Sequence, residues 1–365
     1  MRKRSWLSLQ RLRGKWLVVP YGFLLTALLL SSCVGYGGKA RPEGWSGPVV
    51  VEQTLYIGTR KGKVEAVDLS NPNNPRIEWR FGEKLGAIYA APEVSGGTVY
   101  VGAYNGKLYA LDAKKGWQKW PYSAGGPIIG SPTVVGEEVF FGSSDGKLYA
   151  LEAEGGRLVW EFDAGGKIWC TPAVAEGKVF FGSLNHHFYA LEVKSGRLVW
   201  EREFKAAVVS SPTVAEGKVY VGTLEGELYA LDCRSGQIAW FFKAGNWFWS
   251  RPLVKKGTVY VGSLDHKLYA LDAQTGEEKW SFETGKLIRS SPVMASGILV
   301  VASKDGQVYG LDPISGGKIW QADLGSPILA DLWAEGGRVY IATQDNKLHA
   351  LEAKTGVKVW NLPLE

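Results

Sequence analysis

Cysteine is scarce: Cys33, Cys170 and Cys233 are the three in 365 residues, too few for a disulfide framework. Histidine is as rare, with four, and no Cys/His spacing suits a metal cluster, so no metal site is assigned. Acidic residues are missing from positions 1–32, where six of the 42 lysines and arginines lie. The rest of the chain carries 36 basic and 36 acidic residues, which leaves no positive surplus for a phosphate backbone and argues against a nucleic-acid partner. No segment sustains a helical period. No nucleophile elbow, phosphate loop or metalloprotease motif is present, so no catalytic residue is assigned. What the chain does have is 16 Trp, 47 Gly and 45% apolar residues, enough for a large core.

The N-terminus has the order of an export signal. A basic stretch over 1–15 precedes an apolar run from Trp16 to Leu30, and such a positive end stays cytoplasmic. The run closes on Leu30-Ser31-Ser32-Cys33, which resembles a bacterial lipobox. Residues 1–32 are therefore expected to be a lipoprotein signal peptide and Cys33 the lipidated residue. The alternative is a single transmembrane anchor, for which 15 apolar residues containing Pro20 are short. The Gly-rich, aperiodic segment 33–44 reads as a flexible tether. The body is expected outside the cytoplasm, held to the cell membrane or outer membrane by its lipid.

Trp recurs at 79, 120, 160, 200, 240, 280, 320 and 360, one step of 41 followed by six of 40. Such a period marks a repeat architecture. Within 131–165, Pro132-Thr-Val-Val reads as strand A and Glu138 to Ser143 as strand B. An Asp145-Gly146 hairpin turn leads to strand C, Lys147 to Glu152, and Arg157 to Phe162 is strand D. Strand C is apolar on both faces and so covered on both. Strand D sets Arg157, Val159 and Glu161 against Leu158, Trp160 and Phe162, so it is covered on one. Strand A opens with Pro in seven of eight units, as suits an edge strand. A therefore lies innermost and D outermost. Eight complete units fit with none left over, predicting an all-β, eight-bladed β-propeller of four-stranded antiparallel blades over 45–363. An open solenoid would need polar capping repeats, and neither end unit resembles one.

The residues Val-Tyr-Val-Gly, Asp-Gly-Lys-Leu-Tyr-Ala-Leu-Asp and the eleven-residue Ala-to-Trp segment (Ala110 to Trp120, Ala150 to Trp160, onward to Ala350 to Trp360) closely resemble the PQQ-like β-propeller repeat. The resemblance implies that the eight Trp are structural, each docked between blades beneath a turn glycine. Quinoprotein dehydrogenases resemble this chain only in the blades. They carry a calcium site, a catalytic Asp and an adjacent Cys-Cys disulfide, and none of these has a counterpart here. The lipid anchor and insertion-poor ring look instead like the BamB-type lipoproteins of outer-membrane β-barrel assembly. That implies a non-catalytic scaffold, monomeric, with a protein partner in the cell envelope and no cofactor. A PQQ-binding oxidoreductase and a small-molecule sensor ectodomain are the alternatives.

Departures from the repeat mark where a ligand would sit. Three residues before each strand-A start stand Trp45, Tyr89, Ile129, Trp169, Val209, Trp249, Arg289 and Leu329. One residue before it are small residues, except Arg251 and Asp331. Trp45, Tyr89, Trp169, Trp249, Arg251, Arg289 and Asp331 are expected to rim a funnel for a flat or peptidic ligand. Otherwise the bulky residues fill the hub and the charges pair with each other. Trp247 and Phe248 are expected to be exposed and to form a contact patch.

Overall fold

The computed structural model describes residues 44–82 and 85–365. The signal peptide over 1–32, the lipidation at Cys33 and the tether up to residue 43 lie outside the described residues. Gly44 is not loose: it is buried, and a Cβ there would lie 2.0 Å from the Ile88 carbonyl oxygen.

The chain is an eight-bladed β-propeller: eight four-stranded sheets, each antiparallel and in chain order. The blades occupy residues 49–81, 93–123, 133–163, 173–203, 213–243, 253–283, 293–323 and 333–363. In blade 3 the strands are A Thr133–Val135, B Glu138–Gly142, C Lys147–Glu152 and D Leu158–Asp163. These agree with the sequence reading to within a residue at most ends. Strands B and C hold the core, and all eight blades contribute residues at or beside strand A to one axial channel of about 520 Å³.

Strand D departs from simple alternation. Ala150 pairs with Trp160 but Leu151 pairs with Leu158, so Val159 is bulged out. The bulge leaves Leu158 and Val159 both about 40% exposed instead of on opposite faces.

The eight Trp explain the period. Each indole Nε1 donates to a carbonyl in the C–D turn of the next blade at 2.8–3.3 Å: Trp79 to Ala113, Trp120 to Ala153, Trp160 to Val193, Trp200 to Cys233, Trp240 to Ala273, Trp280 to Pro313, Trp320 to Ala353 and Trp360 to Pro72. The last of these closes the ring from blade 8 onto blade 1, where Arg338 also donates to the Pro72 carbonyl. Val50, Leu55, Ile57 and Val67 of blade 1 pack there with Tyr340, Leu348, Ala350 and Trp360 of blade 8. The turn glycine is required at these docks. A Cβ on Gly276, whose φ is +77°, would lie 2.6 Å from the Trp240 ring. Blade 1 lacks that glycine and uses its longer turn instead.

A second column runs through strand C. Tyr149, Tyr269 and Tyr309 donate to Asp145, Asp265 and Asp305 at 2.7–2.8 Å. In blade 8 the position is His349, only 2% exposed, with its Nε2 3.2 Å from the Thr343 hydroxyl. Burial, helped by Lys358 and Lys347 and opposed by Asp345, lowers its pKa to about 4. An unfolded histidine titrates near ~6.5, so between those values the unfolded chain binds the extra proton and stability falls as pH falls. Going from pH ~7 to ~5 is expected to cost about 2 kcal/mol. Urea midpoints at the two pH values measure this. His349→Tyr, which restores the Tyr–Asp pair, is expected to flatten the difference; an equal slope in that variant contradicts the assignment.

Candidate functional site: an aromatic funnel on the axis

The segment joining strand D of one blade to strand A of the next runs extended, so its side chains alternate. In Ile168-Trp169-Cys170-Thr171 the first and third turn into the core. Ile168 is fully buried and closes onto Gly142, where a Cβ would lie 2.1 Å from its Cγ2. The Cys170 thiol bonds the backbone of Gly182, its N–H donating to sulfur at 3.2 Å. The second and fourth, Trp169 and Thr171, turn to the axis. The same alternation in every blade points two rings of residues inward.

Trp45, Tyr89, Trp169, Trp249, Arg251, Arg289 and Asp331 all line one axial cavity of about 80 Å³, together with Ile129, Val209 and Leu329. Trp45 and Tyr89 meet edge to face with centroids 4.5 Å apart. The Arg289 guanidinium lies over the Trp45 ring at 3.9 Å and over the Trp249 ring at 4.2 Å, joining walls three blades apart by cation–π attraction. Trp169 donates its indole N–H to the Ser144 hydroxyl at 3.0 Å.

Below the aromatics, the small residues of the second ring have a role that their size alone did not reveal. The Ser131 N–H donates to Thr171 Oγ1, that of Thr171 to Ser211 Oγ and that of Arg251 to Ser291 Oγ, each at 3.0 Å. The Ser291 N–H donates to Asp331 Oδ1 at 2.7 Å. Side-chain oxygens thus stitch neighbouring blades, and Asp331 serves as one more acceptor. The recurrence of Ser and Thr at 131, 171, 211 and 291 was the available signal. Arg251 and Asp331 form no ion pair with each other. Below them, burial raises the carboxyl pKa of Glu93 against the opposing pull of the Val134 N–H and the Arg251 charge.

Phe248 corrects the expectation of an exposed patch. It is fully buried, in the same anchor position as Ile88, Ile128, Ile168, Val208, Ile288 and Ile328. It packs with Tyr220, Trp240, Val259 and Tyr269. Trp247 is half-buried beside it, so the two do not form one surface. Cys170 and Cys233 are free and buried, and burial pushes the Cys170 thiol up to about 12 and the Cys233 thiol to about 11, well away from reactive thiolates. His186 and His266 sit at φ 75° and 78° in tight turns where five other blades use Gly and blade 8 uses Asn346. Among the described residues no three His, Cys, Asp or Glu converge on a metal position.

Comparison with known proteins is decisive for the repeats. The family model described as outer membrane protein assembly factor BamB matches residues 71–169, 164–244, 214–295 and 284–365. The chain belongs to this family. Among solved structures, BamB from Moraxella catarrhalis superposes with a TM-score of 0.69 at 21% identity, covering 86% of this chain and 92% of that one. The computationally designed Ika8 protein gives 0.74 at 15% identity, over 89% and 98% of the two chains. A europium-containing methanol dehydrogenase gives 0.69 at 16%, over 86% and 83%. At these identities the structures share the fold with this BamB-family chain. No curated protein sequence matches it.

Proposed function

We propose that this BamB-family chain is a lipid-anchored, extracytoplasmic, monomeric scaffold that binds a protein of the cell envelope through the funnel face and performs no catalysis. The observation that carries the reading is the division of labour in the loops. Core-facing positions repeat a buried apolar anchor in seven blades, while axis-facing positions vary from Trp to Arg to Leu and gather into one cavity. Variation confined to one face of a repeated frame is how solenoids and propellers individualise a binding surface. The lipobox at Cys33 supports placement at a membrane.

The second reading, a quinone-dependent oxidoreductase, fits these residues poorly. A tricyclic cofactor needs a flat slot on the axis. Here the Arg289 guanidinium stacks on Trp45 and Trp249, and the space left at the level of these aromatics is about 80 Å³. No convergent carboxylates for a supporting cation and no paired thiols accompany it among the described residues. No step is derived through such a group.

A photo-crosslinking side chain placed in intact cells at Leu329, on the funnel, and at Ile238, on the outer rim, tests the scaffold reading. Capture of a discrete envelope protein from position 329 and not from 238 is the expected result. Capture only from the rim, or dye-linked alcohol oxidation on adding PQQ and Ca²⁺, contradicts it.

A further inference from the structure

The ring of side-chain oxygens below the aromatic rim is incomplete: Gly47, Ala91 and Arg251 offer none, and of these only Arg251 puts a cation in the break. Where residues 171, 211, 291 and 331 each offer an oxygen to the N–H of the preceding blade, residue 251 is Arg, which has no acceptor. The Ser211 N–H therefore finds no side-chain oxygen on blade 6. The Arg251 guanidinium itself makes no ion pair or side-chain hydrogen bond among the described residues, and it stands exposed in the opening. Both residues line the same cavity. A backbone N–H and a five-donor fork thus face this break together, with no side-chain oxygen at position 251 to accept from either.

We propose that the gap at Arg251 binds a carboxylate, carried on the end of a ligand that enters along the axis. This rests on the reading of the funnel as the recognition face and adds the chemistry it recognises. A guanidinium fork matches the planar, two-oxygen geometry of a carboxylate, and charge-assisted bonds of this kind are the stronger ones. The surroundings select for a single negative charge. Asp331 lies two blades on and Glu93 faces the channel below, so a dianion such as phosphate meets two carboxylates where a monoanion meets less repulsion. The walls at Ile129, Val209 and Leu329 are apolar and suit the carbon chain behind the acid group. The narrow space at the rim, beside the wider channel that Arg251 also lines, sets the scale of the group held there. A water takes on the order of 10–15 Å³ of such space, so about 80 Å³ holds roughly half a dozen non-hydrogen atoms. That is the terminal residue of a peptide chain or a short monocarboxylic acid.

The test is calorimetric titration of the full-length lipoprotein in detergent with four probes: the tripeptide Gly-Gly-Leu, its C-terminal amide, butyrate and inorganic phosphate. The free-acid tripeptide is expected to bind saturably and the amide about tenfold more weakly, the loss of one charge-assisted contact. Arg251→Ser returns a hydroxyl to the ring, so it is expected to keep the melting temperature while weakening acid binding by about tenfold or more. Arg251→Lys is expected to fall between. Butyrate binding as tightly as the tripeptide assigns a small acid; tripeptide binding alone assigns a polypeptide terminus. Equal binding of acid and amide, an Arg251→Ser variant that binds like wild type, phosphate binding above both acids, or no acid binding at millimolar concentration overturns the proposal. Crosslinking from position 329 reads the scaffold separately. Persistent crosslinks with a failed titration remove only the carboxylate site, and a saturable titration without crosslinks removes only the protein partner.

Discussion

Trp240→Ala is expected to destabilise the propeller by about 3–5 kcal/mol, the range for deleting a buried Trp side chain. The ring is 8% exposed, lies against the Cα of Gly276, and has its centroid 5.8 Å from that of Tyr220. Its removal takes away apolar area, leaves a void between blades 5 and 6, and removes one of two donors to the Ala273 carbonyl, leaving the Tyr220 hydroxyl at 3.2 Å. Trp240→Phe keeps most of the area and loses the N–H, for an expected cost of about 1–2 kcal/mol. Gly276→Val attacks the same joint from the other side, by strain at positive φ and by collision with the ring, and is expected to match the alanine variant. Denaturant unfolding measures all three. A Trp240→Ala loss under about 1 kcal/mol would mean that the repeated Trp does not hold the blades together.

Phe248→Ala carries the second large effect, again about 3–5 kcal/mol. The side chain is fully buried, and a Cβ on Gly222 would lie 2.3 Å from its Cβ, so the loop is clamped directly onto strand B of blade 5. Phe248→Ile places in blade 6 the residue that blades 3 and 7 already use in this position, and its cost is expected to stay under about 1.5 kcal/mol. Trp247→Ala, next in the chain and half-buried, is expected to cost less than Phe248→Ala. If Trp247 proves the costlier of the two, the alternation that aims the neighbouring residues at the axis is wrong.

These variants also show what was readable from the chain alone. Strand positions and blade number were legible because a forty-residue period repeats the same burial problem eight times, and each copy corroborates the others. The axial ring was legible for the same reason, as deviations at fixed offsets from strand A. Phe248 was misread because Trp-Phe-Trp looks like an exposed aromatic cluster. The column it belongs to, apolar in each described blade from Ile88 to Ile328, assigns it to the core. The strand-D bulge was not legible, since it changes pairing without changing the polar pattern. The stitching hydroxyls had a signal in their recurrence, but small size explained them equally well until the hydrogen bonds were known.

The fold separates residues that hold blades together from residues that face the axis, to which we assign recognition. The measurement that addresses this most directly is a paired one, taken on a Trp169→Ala/Trp249→Ala variant: its unfolding free energy, and its capture of an envelope protein by a crosslinker at position 329 in cells. The account predicts a loss of stability well below that of Trp240→Ala alone, with the crosslinked species gone. A variant as unstable as Trp240→Ala whose folded fraction still captures the same protein would contradict it.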